Sequence, residues 1–335
     1  MRKDLSRRSL GGLGLAAAAV LGAPAFAQTA DPLPSWREGA AKRAILDFVA
    51  ATTRAGAPGF IRPPERIAVF DNDGTLWCEQ PVYVQATFAF DRVRELAPEN
   101  PALRDMPAVR TLLNDGPAAL AAQGEHAVMQ VVMAAHAGQT STAFAQAVAR
   151  WLETARHPRF NVRYDRLAYQ PMLEVLRLMR ARGFKTFIVS GGGQDFVRVF
   201  AERVYGISPE QVVGSSIKAR FEMQDGVPRI LKLPEIDFID DGAGKPVGIH
   251  RAIGRRPVAA FGNSDGDQAM LEYTTLPRVQ GASRLGMLVR HDDAAREFAY
   301  DRQSHVGRLD KALDAAPANG WSVISMRDDW ARVFV

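Results

Sequence analysis

The sequence predicts an α/β fold: a parallel sheet flanked by helices, with an all-α insertion behind its first strand. Short apolar runs rich in strand formers recur at 67–70, 185–190 and 258–262, and runs of that length read as buried strands. Each gives way at its carboxyl end to glycine and small polar residues that permit a sharp turn. From 83 to 156 the only periodicity is helical, so these residues sit as a helical insertion between two parts of the sheet domain.

Ahead of these elements, Ser6-Arg7-Arg8-Ser9-Leu10 is a twin-arginine pattern, and an apolar run rich in Ala, Leu and Gly follows to about Leu21. Ala25-Phe26-Ala27 then offers a small-x-small cleavage site before Gln28. The run is shorter than the ~20 apolar residues of a membrane span, so residues 1–27 are expected to be a cleaved signal and not a stable membrane anchor. They resemble a Tat signal, which implies passage of the folded chain through the Tat translocon and a periplasmic location.

The remaining elements follow in order. Residues 28–40, polar and Pro-containing, read as a tether; 41–55 as a helix, completing an N-terminal segment 28–65; and the Pro/Gly-rich 56–64 as the loop into the first strand. Within the insertion Phe144, Val148, Trp151 and Leu152 fall on one helical face, and breaks near 98–101, 115–117 and 138–139 divide it into about four helices. A helix at 170–182 ends at Gly183, the second strand follows, and Gly191–Gly193 lead into a helix to about Tyr205. Ser208-Pro209-Glu210-Gln211 has the form of a helix start, with a Ser cap and Pro at the first position, and competes with a third strand at 211–217. Residues 219–245 read as irregular or hairpin-like, 258–262 as the fourth strand and 287–290 as the fifth. Residues 321–326 suit an added edge strand, and Trp330 a packing anchor. The sheet domain therefore comprises 66–78 and 166–335, and the helical insertion 79–165.

The chain has 335 residues, enough for one large domain or two modest ones. Its formal charge is +5, of which residues 1–27 carry a net +3, so the remaining +2 gives no signature of a nucleic-acid partner. Cys78 is the only cysteine and cannot form an intrachain disulfide. No His precedes it and no Arg follows at the spacing of a thiol phosphatase loop, so it reads as a packing residue.

The chemistry concentrates at the strand ends, where open α/β sheets build their sites. Asp71-Asn72-Asp73-Gly74-Thr75-Leu76 places two carboxylates just beyond the first strand. Acids so close repel, attract a divalent cation and acquire different pKa values, so that one can stay an ionised nucleophile while the other delivers a proton. Ser190 before three glycines offers a hydroxyl and bare N–H groups to a phosphate, although Ser at such a turn is commonly a cap. Lys245, in Gly244-Lys245-Pro246, is by itself an ordinary surface lysine. Asn263-Ser264-Asp265-Gly266-Asp267 gathers oxygen ligands suited to Mg²⁺. An EF-hand loop is excluded, because the sixth and twelfth positions are Leu76 and Val82 counted from Asp71, or Gln268 and Thr274 counted from Asn263. An HExxH motif is lacking, and the glycines at 191–193 do not have dinucleotide-fingerprint spacing.

In combination these motifs resemble the haloacid dehalogenase superfamily, in the branch with a helical cap and with most similarity to its phosphoserine phosphatase group. The resemblance runs from about Arg66 to Arg290 and rests on Phe70–Thr75, Val189–Gly192, Lys245 and Gly262–Asp267. It implies a Rossmann-like doubly wound parallel sheet and a Mg²⁺-dependent phosphatase acting on a small phosphorylated metabolite. Asp71 would be the nucleophile and Asp73 the acid and base. Thr75, Ser190, Gly191 and Lys245 would hold the phosphate; Asp71, the carbonyl of Asp73, Asn263 and Asp267 would hold Mg²⁺. Asn263 stands where the family usually has Asp, which removes a negative charge that Asp265 or Asp267 would have to replace. Glu79, just after the first motif with Trp77 and Gln80, would read a substrate amine or be a solvated hinge carboxylate; Arg104 or Arg110 would read a substrate carboxylate. Two other functions share these residues: a phosphate-ligand-binding protein with little or no turnover, and a phosphotransferase that resolves the same aspartyl-phosphate with an alcohol.

Overall fold

The computed structural model describes residues 31–278 and 283–335; the expected signal at 1–27 lies outside the described residues. In chain order the elements are α1 (Ala40–Thr53), β1 (Ile67–Phe70), α2 (Val84–Leu96), α3 (Pro101–Arg104), α4 (Pro107–Ala122), α5 (Glu125–His136), α6 (Ser141–Thr154) and α7 (Gln170–Ala181). There follow β2 (Lys185–Gly193), α8 (Gln194–Tyr205), β3 (Val212–Gln224), β4 (Val227–Phe238), α9 (Gly244–Ile253), β5 (Ala259–Gly262) and α10 (Gln268–Thr275). Last come β6 (Leu285–Asp292), β7 (Ala299–Tyr300), α11 (Lys311–Asn319), β8 (Ser322–Ser325) and α12 (Met326–Asp329).

One sheet runs β4-β3-β2-β1-β5-β6-β7, with β8 beside β6. Its centre is parallel: β1 pairs with β2 and β5, β2 with β3, and β6 with β5 and β8. Strands β4 and β7 pair antiparallel at either side. Alternate residues of β1 serve opposite faces, as the period of two requires. Ala68 and Phe70 join a core with Ile45 of α1, Val175 of α7 and Phe200 of α8, whereas Ile67 and Val69 join Ile249 of α9, Met270 of α10 and Ala312 of α11. Both faces are therefore covered, the doubly wound arrangement that an apolar central strand demands. Four of the five helices between β1 and α7, α2 to α5, bury a separate cluster that includes Phe90, Val93, Leu112 and Val131, whereas Phe144, Val148 and Leu152 of α6 join the core that holds Phe70. Trp77 to Cys78, leaving the sheet, lie against Leu167 to Tyr169, re-entering it: Cys78 N–H donates to Leu167 O at 3.1 Å and Tyr169 N–H to Leu76 O at 2.9 Å.

Three sequence expectations change. The tether is no tether at its described end, because Leu33 and Trp36 are buried and Trp36 meets Trp330 edge-on at 6.0 Å. Residues Gly191–Gly193 lead into α8 as expected, but as an extension of β2 beyond Ser190, with a register shift against β3. Ser208 caps no helix: Pro209–Gln211 is a single 3-10 turn and the Ser208 hydroxyl bonds the Glu210 and Gln211 side chains. Of the two readings of 219–245 the hairpin holds: β3 and β4 turn at Asp225-Gly226. Both turn residues have positive φ (52° and 76°), the type I′ geometry that Asp-Gly favours. No helix among the described residues is long and apolar enough to cross a membrane.

Candidate functional site

The carboxyl ends of β1, β2 and β5 meet the start of α9, and the motif residues converge there. Lys245, unremarkable by sequence, is 2% exposed and central. Its Nζ donates to Asp71 Oδ1 at 2.6 Å, Asp267 Oδ1 at 2.7 Å and Val189 O at 3.0 Å. Burial alone would discharge the amine, but Asp267 and Asp71 outweigh it and hold Lys245 above its ordinary pKa. Burial raises the Asp71 carboxyl well above its ordinary range, Asp267 adds to the rise, and Lys245 opposes it. Burial likewise raises Asp73, against hydrogen bonds from Trp77 and Asn72. The Trp77 indole donates to Asp73 Oδ1 at 2.8 Å and stacks on Phe200 at 4.4 Å, which fixes the carboxyl from the packed side.

Ser190 is buried and its Oγ accepts the Gly192 N–H at 3.1 Å. A Cβ at Gly191 would rest 3.4 Å from Asp241 Oδ1, so this strand end leaves room beside a carboxylate that the motif reading did not include. Thr75, expected at the phosphate, instead donates to Asn263 Oδ1 at 2.9 Å.

Asn263 donates its Nδ2 to Glu79 Oε1 at 2.8 Å. Glu79 is 1% exposed and also accepts the Tyr300 hydroxyl at 2.7 Å, so it is not a solvated hinge carboxylate. Burial pushes it up to about 8, despite His291 and Tyr300 favouring its anion. Gly74, at φ 73°, permits this contact, because a Cβ there would strike Asn263 and Glu79. Behind them His291 donates Nε2–H to Gly74 O at 2.8 Å and bonds Glu297 through Nδ1 at 3.1 Å.

Asp265 Oδ1 accepts the N–H groups of Asp310 and Ala312 at 2.9 and 3.0 Å, capping α11. Asp267 is committed to Lys245 and, through Oδ2, to the N–H groups of Asn263 and Ser264 at 2.9 and 3.0 Å. Arg104 and Arg110 are exposed, and among the described residues no hydrogen bond ties either to the site. Among the described residues no group of three or more His, Cys, Asp or Glu side chains is placed to hold a metal ion. Mg²⁺, however, needs only one or two carboxylates beside water and neutral oxygens. Asp71, the Asn263 amide oxygen and the Asp73 carbonyl are hard donors of that kind and fit it.

Tyr300, His291, Glu297, Asp241, Gln85 and His136 were not legible as site residues. Tyr300 and His291 come from β7 and β6, and Gln85 and His136 from the insertion. Only His291, ending an apolar strand, carries a sequence signal.

The family model described as haloacid dehalogenase-like hydrolase matches residues 68–272. No curated protein matches the chain. A conserved protein of unknown function from Anaerococcus prevotii DSM 20548 is 17% identical over 76% of this chain and 86% of its own, with a TM-score of 0.50. A protein with unknown function from Bordetella pertussis Tohama I is 15% identical over 78% and 98%, with a TM-score of 0.47. A phosphoserine phosphohydrolase-like protein from Francisella tularensis subsp. tularensis SCHU S4 is 17% identical over 68% and 88%, with a TM-score of 0.37. The first of these likenesses is one of fold.

Proposed function

The chain belongs to the haloacid dehalogenase-like hydrolases, and we propose that it is an exported, Mg²⁺-dependent phosphomonoesterase acting on small organic phosphates. One observation carries the reading: a buried lysine ion-paired at 2.6 Å to Asp71, beside the half-buried Asp73 whose pKa is raised. That is a nucleophile held by a fixed cation, next to a carboxyl whose hold on its proton burial strengthens.

Asp71 attacks phosphorus, and the bond from phosphorus to the ester oxygen breaks. Asp73 gives its proton to that oxygen, so the alcohol leaves neutral. Asp73, now a base, takes a proton from the water that attacks the aspartyl-phosphate, and the Asp71–phosphorus bond breaks to release phosphate. Ser190, the Gly191 backbone and Lys245 offset the phosphoryl charge throughout. Thr75 acts one step removed, by holding Asn263. Mg²⁺, held by Asp71, the Asp73 carbonyl and Asn263, would supply further charge stabilisation. The helices of the insertion serve as a cap that excludes water. The twin-arginine pattern at 6–10 supports export to the periplasm, where a scavenging role suits such a hydrolase.

Phosphate release from a panel of phosphomonoesters tests this, with Mg²⁺ or chelator, and with Asp71→Asn beside the parent. The expected result is metal-dependent release lost in Asp71→Asn. A folded, Mg²⁺-saturated protein that releases nothing contradicts the proposal and favours a phosphate-binding protein. Phosphoryl transfer to added glycerol in place of water would identify a phosphotransferase.

A further inference from the structure

The candidate catalytic residues gather at the carboxyl ends of the strands, and a second feature lies at the opposite, amino ends of β1, β5 and β6. There the loop from α1 to β1, the turn from α9 to β5 and the residues just ahead of β6 line a cavity of about 460 Å³. Its charged lining is three arginines, Arg255, Arg256 and Arg284, and one acid, Glu65. Ser283 adds a hydroxyl and Phe60 an apolar wall.

The three cations have no anion of their own. Glu65 is engaged by Arg62 at 2.5 Å, and Arg255 favours its anion only at longer range. Among the described residues none of the three arginines forms an ion pair. Arg256 holds its guanidinium over the Tyr273 ring at 5.6 Å, and its Nε is buried without a hydrogen-bond partner. Arg284 donates from Nη1 to Pro257 O at 2.7 Å, which among the described residues is the one protein acceptor that the three side chains have. Burial, and then the charge of Arg256 beside it, lowers the Arg284 pKa, so these two guanidinium groups crowd each other. An anion between them would offset that repulsion. Guanidinium forks match phosphate oxygens two at a time, and the cavity has the volume of a small-molecule site.

We propose that this cavity binds a polyvalent phosphate, with pyrophosphate the simplest member of the class, through Arg255, Arg256 and Arg284. The site lies at the other end of the sheet from Asp71, so it does not rest on the hydrolase reading. Free pyrophosphate and a diphosphate ester present the same oxygens to it.

Calorimetric titration with pyrophosphate tests this, with chelator present so that no metal bridges the anion. The parent is expected to bind, Arg256→Gln and Arg284→Gln to bind at least about tenfold more weakly, and the double variant to lose the site. Ser190→Ala, at the far end of the sheet, is expected to keep it. If Arg256→Gln does not fold, Arg255→Gln, at an exposed side chain, replaces it. A nucleoside diphosphate titrated in parallel separates the free anion from its esters, and weaker binding of either by the variants supports the site. A parent that binds neither overturns the proposal. So does binding that the arginine variants keep and Ser190→Ala loses, which would place the anion at the catalytic centre. A parent that hydrolyses no ester is a separate result and leaves this titration as it is.

Discussion

Asn263 is the residue where this chain parts from its family's motif, and its surroundings show what that exchange does. A neutral amide can give one hydrogen to Glu79 while receiving one from Thr75; a carboxylate in its place would meet the Glu79 carboxyl across 2.8 Å. Asn263→Asp is therefore expected to cost roughly 3 kcal/mol in chelator, as an uncompensated buried charge does, and to regain much of it with Mg²⁺. Thermal melts with and without the cation read this, and an unchanged Mg²⁺-induced shift contradicts it. Glu79 gives a pH dependence of definite sign. Its folded pKa of about 8 lies above the unfolded value, so the folded state keeps a proton that the unfolded chain has lost. Metal-free stability thus falls through this residue as pH rises from about 4.5 to about 8. Glu79→Gln removes that loss, and its melting temperature relative to the parent is expected to climb across the window; a constant difference rules this out.

At the level of elements, the sequence was legible where one period dominates. The apolar runs gave β1, β2 and β5 within a few residues, and the face Phe144-Val148-Leu152 gave α6. What escaped was set by long-range pairing. The β3–β4 hairpin was legible only as one of two readings, because exposed apolar residues, among them Phe221 and Met223, blur the alternation that marks a half-buried strand. Gly191–Gly193 were not read as part of the second strand because glycine is poor in strands, yet pairing with β3 holds them extended. The site divides in the same way. Asp71, Asp73, Ser190 and Asn263 stand at strand ends and could be read; the burial of Lys245 and the approach of Tyr300, Gln85 and His136 depend on tertiary packing. In α6, Phe144 is fully buried against Phe88 and His136. Phe144→Ala is expected to cost about 3–5 kcal/mol by denaturant unfolding. A variant as stable as the parent would show that this cluster does not hold the insertion together.

Over the whole molecule, the sheet domain and the insertion contribute different things to one site. The sheet domain places Asp71, Asp73 and Asn263 just beyond or at strand ends and Lys245 on α9, around strands whose apolar residues are buried on both faces. The insertion, with a core of its own, brings the Gln85 amide to the end of β2, where Oε1 accepts the Gly193 N–H at 2.7 Å. The C-terminal segment, read in the sequence as an added strand and a packing tryptophan, also closes the site from below through Tyr300. The central claim is that Asp71 becomes phosphorylated during turnover. Acid quench of the enzyme turning over a radiolabelled phosphomonoester, followed by peptide mapping, tests it most directly. The expected result is one hydroxylamine-labile phosphoryl group on the peptide carrying Asp71, absent from Asp71→Asn. Turnover with no trapped acyl phosphate, or label retained in Asp71→Asn, would contradict it.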